Sequence, residues 1–427
     1  MTRLAIITTA LTSTLLGLGL ASSAGAEITY LTAAHMVDTV AGRIVDNPAV
    51  IIENGKIKVV GTKTSLAAPK GAKRIDLGTK TILPGLIDMH VHITSRADMH
   101  GYRALAVTPV TEAISGVANA AITLRAGYTT VRNVGAGGYT DVALADAIES
   151  GEVPGPRIIP SGPAIGATGG HCDDNLLPHT YNIVGEAVAD GPDAIRAMVR
   201  KVHKYGAKSI KFCATGGVFS KGDTVGGQQY TLEEMTALVL EAHMLGLKVA
   251  AHAHGASGIK DAIRAGADTI EHASLADEEA FALAKTHGTA FSMDIYNDDY
   301  ILSEGEKVGI LPESLEKERM IGLKQRQTFQ AAFRAGVTMV FGTDAGVYPH
   351  GDNGRQFTKM VEWGMTPMQA LQAATTVAAK TLGDLGTDIG SISAGKSADI
   401  IAVNTDPTVN IKTMESVSFV MKSGTVF

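Results

Sequence analysis

Two cysteines in 427 residues are too few for a disulfide framework, so the chain must hold together by an ordinary apolar core. Cys172 and Cys213 are each expected to be buried free thiols, although in an oxidising compartment they could pair. Runs of lysine or arginine are missing, and the formal charge of −6 argues against a nucleic-acid groove. Beyond the N-terminal segment no apolar run is long enough to span a bilayer, so no membrane insertion is expected of the mature chain. Aromatics are sparse at 5%, but 45% hydrophobic residues keep the chain in the globular range. That length suits one large domain or two moderate ones.

What is present begins with Met1-Thr2-Arg3, an apolar stretch over 4–20, and Ala24-Gly25-Ala26 before Glu27. A positive start, an apolar middle and small residues at −3 and −1 read as a signal peptide over 1–26 and export to the periplasm or medium. The competing reading is a membrane anchor, for which this Thr/Ser/Gly-rich segment is marginal.

Both ends of the mature chain are β-rich. Residues 28–60 alternate with turns, including the hairpin signal Asn54-Gly55, and further short strands fill 398–427. The pattern predicts a small β-sandwich assembled from 27–83 and 385–427. Between them, over 84–384, short apolar strands at 82–92, 128–134, 157–162, 207–213, 247–254, 268–272, 289–295 and 337–344 alternate with helical stretches. Capping signatures mark two of the helices, Thr231-Leu232-Glu233-Glu234 and Thr366-Pro367-Met368-Gln369. This is α/β organisation, and eight strands fit a (β/α)8 barrel of TIM type. A doubly wound sheet would want a Gly-rich turn after its first strand, and Asp88-Met89-His90-Val91-His92 is nothing like one.

Barrel enzymes build their sites at the carboxyl ends of the strands. Those ends carry His90 and His92, Lys211, His252 and His254, His272, and Asp344. A His-x-His pair alone is equally an ordinary pair of strand-end histidines. On a strand, though, the i, i+2 spacing puts both imidazoles on one face, about 6.6 Å apart along the chain. Five imidazoles and a carboxylate on one rim make a metal site, with Zn²⁺ or a related divalent ion as the suited occupant. An inward ammonium on Lys211 would be repelled by such ions and costly to bury. Carboxylation by CO₂ removes the conflict by making an anion long enough to bridge two metals. A depressed pKa or a stem that reaches water is the commoner fate of lysines generally.

The segments Gly85-Leu86-Ile87-Asp88-Met89-His90-Val91-His92, Lys211, Ala251-His252-Ala253-His254-Gly255, Ile270-Glu271-His272-Ala273-Ser274 and Gly342-Thr343-Asp344-Ala345-Gly346 together resemble the amidohydrolase superfamily. Thr168-Gly169-Gly170-His171, Gln229-Tyr230-Thr231 and Tyr348-Pro349-His350-Gly351-Asp352-Asn353 are similar to its binuclear-zinc Xaa-Pro dipeptidase-like branch, which includes carboxypeptidase-like dipeptidases and ochratoxin-hydrolysing amidases. The resemblance implies one Zn²⁺ held by His90, His92 and Asp344, and a second held by His252 and His272. N-carboxylated Lys211 and a hydroxide would bridge the two. Asp344 would be the proton shuttle, and His171 the donor to the carbonyl oxygen. Tyr230 would bind the substrate's α-carboxylate, and His254, on the same strand face as His252, would contact substrate. His350 could border the pocket or lie on a loop surface. His35, His100, His179, His203, His243 and His287 are expected to be structural or solvated. One departure is Arg132-Asn133, where relatives often carry Arg-Asp; the change removes a carboxylate.

The resulting expectation is an exported amide hydrolase acting on dipeptides or N-acyl amino acids with a free C-terminal carboxylate, and by analogy with relatives a homo-oligomer. Cyclic-amide hydrolysis or deamination on the same barrel, and a catalytically inactive binding scaffold, are the alternatives. A bridging Lys211 argues against mononuclear deaminases, and the intact ligand set argues against the inactive scaffold.

Overall fold

The computed structural model describes residues 27–427, so the expected signal peptide over 1–26 lies outside the described residues. Eight parallel strands form the centre: Leu86–Val91, Tyr128–Asn133, Arg157–Ile159, Ser209–Cys213, Lys248–Ala253, Thr269–His272, Ala290–Ser292 and Met339–Val340. Neighbours pair in chain order within a three-stranded and a five-stranded arc. Backbone bonds close both seams. Ser209 N donates to Pro160 O at 3.2 Å, and Met89 N donates to Phe341 O at 2.9 Å. Strands buried on both faces can afford near-continuous apolar runs, as in Val249-Ala250-Ala251. The result is the expected (β/α)8 barrel.

The stretch 82–92, read from sequence as one strand, is two. Thr81–Pro84 pairs antiparallel with Ile400–Val403 and parallel with His35–Asp38, whereas Leu86–Val91 enters the barrel. Gly85 is the crossing point: a Cβ there would run into the Thr129 side chain, so only glycine lets the chain pass between the two sheets. The small domain is a four-stranded and a six-stranded sheet built from both chain ends, packed over Leu31, Met36, Val50, Ile82, Ile400 and Met421. Its Asn54-Gly55 hairpin has φ of 50° and 76°, the left-handed pair that a two-residue type I′ turn requires.

Both anticipated capping boxes form, at Thr231 with Glu234 and at Thr366 with Gln369. The second helix is interrupted at Thr375, which leaves helical geometry and separates Pro367–Ala373 from Thr376–Thr381. After the seventh strand comes the helix Asn297–Val308, followed by the long helix Pro312–Arg334. These two helices wall one side of the barrel mouth. No helix among the described residues is long and apolar enough to cross a membrane.

Candidate metal centre and active-site cavity

His90 is the last residue but one of the first strand, its side chain buried, and His92 lies one residue beyond the strand end. Their Nε2 atoms each lie 3.3 Å from Oδ1 of Asp344. Four ligands set tetrahedrally around an ion at bonds of about 2.0–2.1 Å stand about 3.3–3.4 Å apart. Each of the two histidines therefore stands at ligand spacing from Asp344. Asp344 Oδ1, His90 Nε2 and His252 Nε2 are buried without a hydrogen-bond partner among the described residues. Orphaned buried polar atoms are costly, and these three converge on one place.

His272 belongs to both halves of the site. Its ligating nitrogen lies within 4.8 Å of those of His90 and Asp344, and within the same limit of those of His252 and His254. Lys211 is buried on the same cavity wall, its amine without a hydrogen bond among the described residues, and burial pushes that amine below the ordinary lysine range. A cation pair fits this donor set, with nitrogen and carboxylate ligands in two adjoining groups.

Three of these imidazoles, His90, His272 and His92, are turned by a bond on the far nitrogen. His90 Nδ1 meets Glu271 Oε2 at 2.8 Å, His272 Nδ1 meets Asp294 Oδ1 at 2.8 Å, and His92 Nδ1 donates to Gly135 O at 3.2 Å. Such outer bonds fix the tautomer that leaves Nε2 free for a metal. Glu271 also accepts from fully buried Arg132 at 2.7 Å. Burial pushes the Glu271 carboxyl up, but Arg132, His90 and Lys211 outweigh it and hold the group well below the usual carboxylate range.

Local backbone strain aims two ligands. In an extended strand, Glu271 and His272 would point to opposite faces. His272 has φ of 68°, which swings its ring toward His90, the ring centroids standing 5.0 Å apart, while Glu271 still reaches the same imidazole. Asp344 also sits in the left-handed region, at φ 56°, with Oδ2 accepting from Asn297 at 3.0 Å.

His171 stacks on His252 at 4.0 Å between centroids, and Ser220 Oγ lies 2.9 Å from its Nδ1. Ser220 donates to Asp223 at 2.7 Å, and Lys317 on the long helix donates to Asp223 at 2.8 Å. His254 is held by Ser274 Oγ at 2.8 Å from Nδ1 and lines the same cavity.

Several expectations need correction. Tyr230 does not line the cavity: its phenol is buried and donates to Ala189 O at 2.7 Å, so it offers no proton to a substrate carboxylate. His350 lies outside the active-site cavity and off the surface, lining a separate pocket beside Arg96 and Asn119. It is buried behind His92, whose carbonyl lies 3.2 Å from its Nε2, and burial pushes it down to about 4. His100, expected to be structural, lines the cavity and stacks on Phe219 at 5.5 Å. Cys172 and Cys213 are not free thiols: they form a disulfide with Cα atoms 5.9 Å apart. That bridge ties the residue after His171 to the strand carrying Lys211. Asn133, in place of an aspartate, donates to Asp141 Oδ2 at 3.0 Å, so a neighbouring helix supplies the carboxylate instead.

The cavity has a volume of about 330 Å³, room for a small two-part substrate. Sequence reasoning missed Glu271, Asp294, Asn297, Ser220 and Asp223. Only Glu271 carried a signal, lying beside His272 in the same strand.

A family model described as the amidohydrolase family matches residues 81–427. The chain belongs to the amidohydrolase family. Ochratoxinase from Aspergillus niger is 32% identical over 433 residues, covering 96% of this amidohydrolase and 88% of that protein. A Xaa-Pro dipeptidase solved with methionine bound in its active site is 35% identical with a TM-score of 0.85, covering 94% of this chain and 100% of that one. A prolidase solved in complex with N-methylphosphonate-L-proline is 32% identical with a TM-score of 0.85, covering 94% and 99%. With this cluster of histidines, the amidohydrolase is a metal-dependent amide hydrolase.

Proposed function

We propose that this enzyme is exported and cleaves the amide bond of dipeptides or N-acyl amino acids that carry a free C-terminal carboxylate. The observation that carries the reading is the convergence of orphaned His90, His252 and Asp344 atoms inside a cavity of dipeptide size. Relatives support the substrate class: one was solved with a methionine in its active site and another with a phosphonate analogue ending in proline.

His90, His92 and Asp344 would hold one zinc ion and His252 and His272 the second, with Lys211 carboxylated between them. The pair would supply Lewis-acid polarisation of the scissile carbonyl and a water acidified to near neutral pH. Asp344, steadied by Asn297, takes the proton of the attacking water and returns it to the leaving amine. His171 donates its Nδ1–H to Ser220 Oγ, whose own proton goes to Asp223, so it donates from Nε2 to the carbonyl oxygen as an imidazolium backed by the Asp223 carboxylate. His254 contacts substrate from the same wall. With Tyr230 engaged elsewhere, the substrate carboxylate falls to Arg96, a cavity cation whose present partner, Asp98, is exposed. Lys211 forms its carbamate when the neutral amine adds to CO₂ and releases one proton.

Export is supported by the N-terminal segment and by the Cys172–Cys213 disulfide, which suits an oxidising compartment. Self-association is supported by exposed Val110 and Ile114 on one face of the helix Pro109–Arg125. The test is metal content together with turnover of a dipeptide panel. About two zinc ions per chain and release of the carboxyl-terminal amino acid are expected. Metal-free protein, or turnover of cyclic amides alone, would overturn the reading.

A further inference from the structure

The long helix Pro312–Arg334 presents Glu318, Ile321 and Gln325 to the cavity, residues spaced so that they share one helical face. Gln325 is committed to Asp294 at 2.8 Å, and Ile321 is apolar. Glu318 is 4% exposed, and among the described residues it has neither a hydrogen bond nor an ion pair. Lys317, its neighbour, points away into the loop that carries Ser220. Arg326, the cation of the same helix whose charge reaches Glu318, is spent on Asp298 at 3.1 Å and Asp299 at 2.8 Å. A carboxyl buried without a partner is a standing free-energy cost, and natural interiors rarely keep one unless a ligand completes it.

We propose that Glu318 is a specificity-determining residue that receives an ammonium group carried on the acyl side of the substrate. This deepens the amide-hydrolase reading and rests on it. Of the two substrate classes above, it favours unblocked dipeptides over neutral N-acyl amino acids. The ammonium could be the α-amine of the first residue or the amine of a basic side chain; the recognition chemistry is the same. Burial, with the charges of Asp298 and Asp294, pushes the Glu318 carboxyl up to about 8, which is the signature of a carboxylate lacking its counter-ion.

The experiment compares kcat/KM of the zinc-loaded native enzyme and Glu318→Gln on Gly-Phe, N-acetyl-Gly-Phe and N-acetyl-Lys-Phe. A loss of tenfold or more confined to Gly-Phe supports the proposal with the α-amine as ligand. The same loss confined to N-acetyl-Lys-Phe supports it with the side-chain amine. Equal changes on all three overturn it. Should the variant fail to fold, inhibition of the native enzyme decides: L-alaninamide must bind at least tenfold tighter than N-acetyl-L-alaninamide, and equal inhibition overturns the proposal. If the native enzyme cleaves none of the three, the amide-hydrolase reading falls and this one falls with it. If it cleaves all three without the selective loss, only Glu318 has been misassigned.

Discussion

Glu271 Oε2 stands 2.8 Å from Nδ1 of His90, and the other oxygen of the same carboxylate takes Arg132 at 2.7 Å. A metal-facing imidazole is thus joined through one side chain to a guanidinium sealed inside the barrel. Glu271→Gln should weaken metal binding about 10–100-fold, the usual effect of removing an outer partner of a ligating histidine. It should also destabilise the protein by roughly 3–5 kcal/mol, because Arg132 keeps its charge without a counter-ion. Chelator competition and urea unfolding measure the two effects, and unchanged metal affinity would contradict the orienting role.

For Asp344→Asn the expected effects separate differently. Its backbone N–H still bonds to His90 O at 2.7 Å, so the fold should hold. The amide cannot carry the proton, and kcat should fall by about 10²–10⁴. Near-normal kcat in that variant would mean that another group moves the proton.

The path from Lys317 through Asp223 and Ser220 to His171 makes a prediction about rate rather than binding. Asp223→Asn removes the anion that backs the His171 imidazolium through Ser220. It should lower kcat about tenfold or more while leaving KM within a few-fold, since donation to the carbonyl oxygen matters most as charge develops there. Steady-state kinetics on one dipeptide decides the point. A change in KM alone would place His171 in ground-state binding.

Much of the site could be read from the chain because its donors cluster in short motifs at strand ends. His90 and His92, or His252 and His254, advertise themselves by spacing, and barrel topology brings them together. The fold was legible for the same reason, since runs such as Val249-Ala250-Ala251 between capped helices leave few architectures open. What stayed hidden depends on contacts between distant segments. The two cysteines are 41 residues apart, and nothing local says that the loop after His171 lies over the Lys211 strand. Tyr230 occupies a motif position that implies a ligand contact, yet the direction of its phenol is set by Ala189, another 41 residues away. Asp223 and Ser220 lie in a loop without periodicity, and their function is visible only once Lys317 arrives from the helix.

The disulfide closes a loop of 41 residues, for which chain entropy alone gives roughly 4 kcal/mol of stabilisation. Reducing it, or replacing Cys172 by Ser, should lower the unfolding free energy by about that amount and slow turnover as His171 loses its anchor. Metal content should be little affected, because neither sulfur belongs to the ligand set. Loss of zinc in step with reduction would instead mean that the bridge holds the Lys211 strand itself in place.

Glu318 gives a stability test that is independent of substrate. In chelated protein its carboxyl sits near 8 against an ordinary value of 4.5, so the native state keeps a proton that the unfolded chain has lost. Unfolding free energy must therefore fall as pH rises from about 4.5 to about 8, and be unaffected by this group outside that window. Glu318→Gln has no proton to lose. Relative to the native sequence it should be level near pH 4.5 and ahead by a few kcal/mol at pH 8 and above, the order expected of a shift this large in a buried group. Urea unfolding of both proteins at pH 5, 6.5 and 8 reads the difference directly, since all other titrating groups cancel. A gap that does not widen with pH would mean that Glu318 already has a partner in the free enzyme, leaving it no unmet charge to offer a substrate.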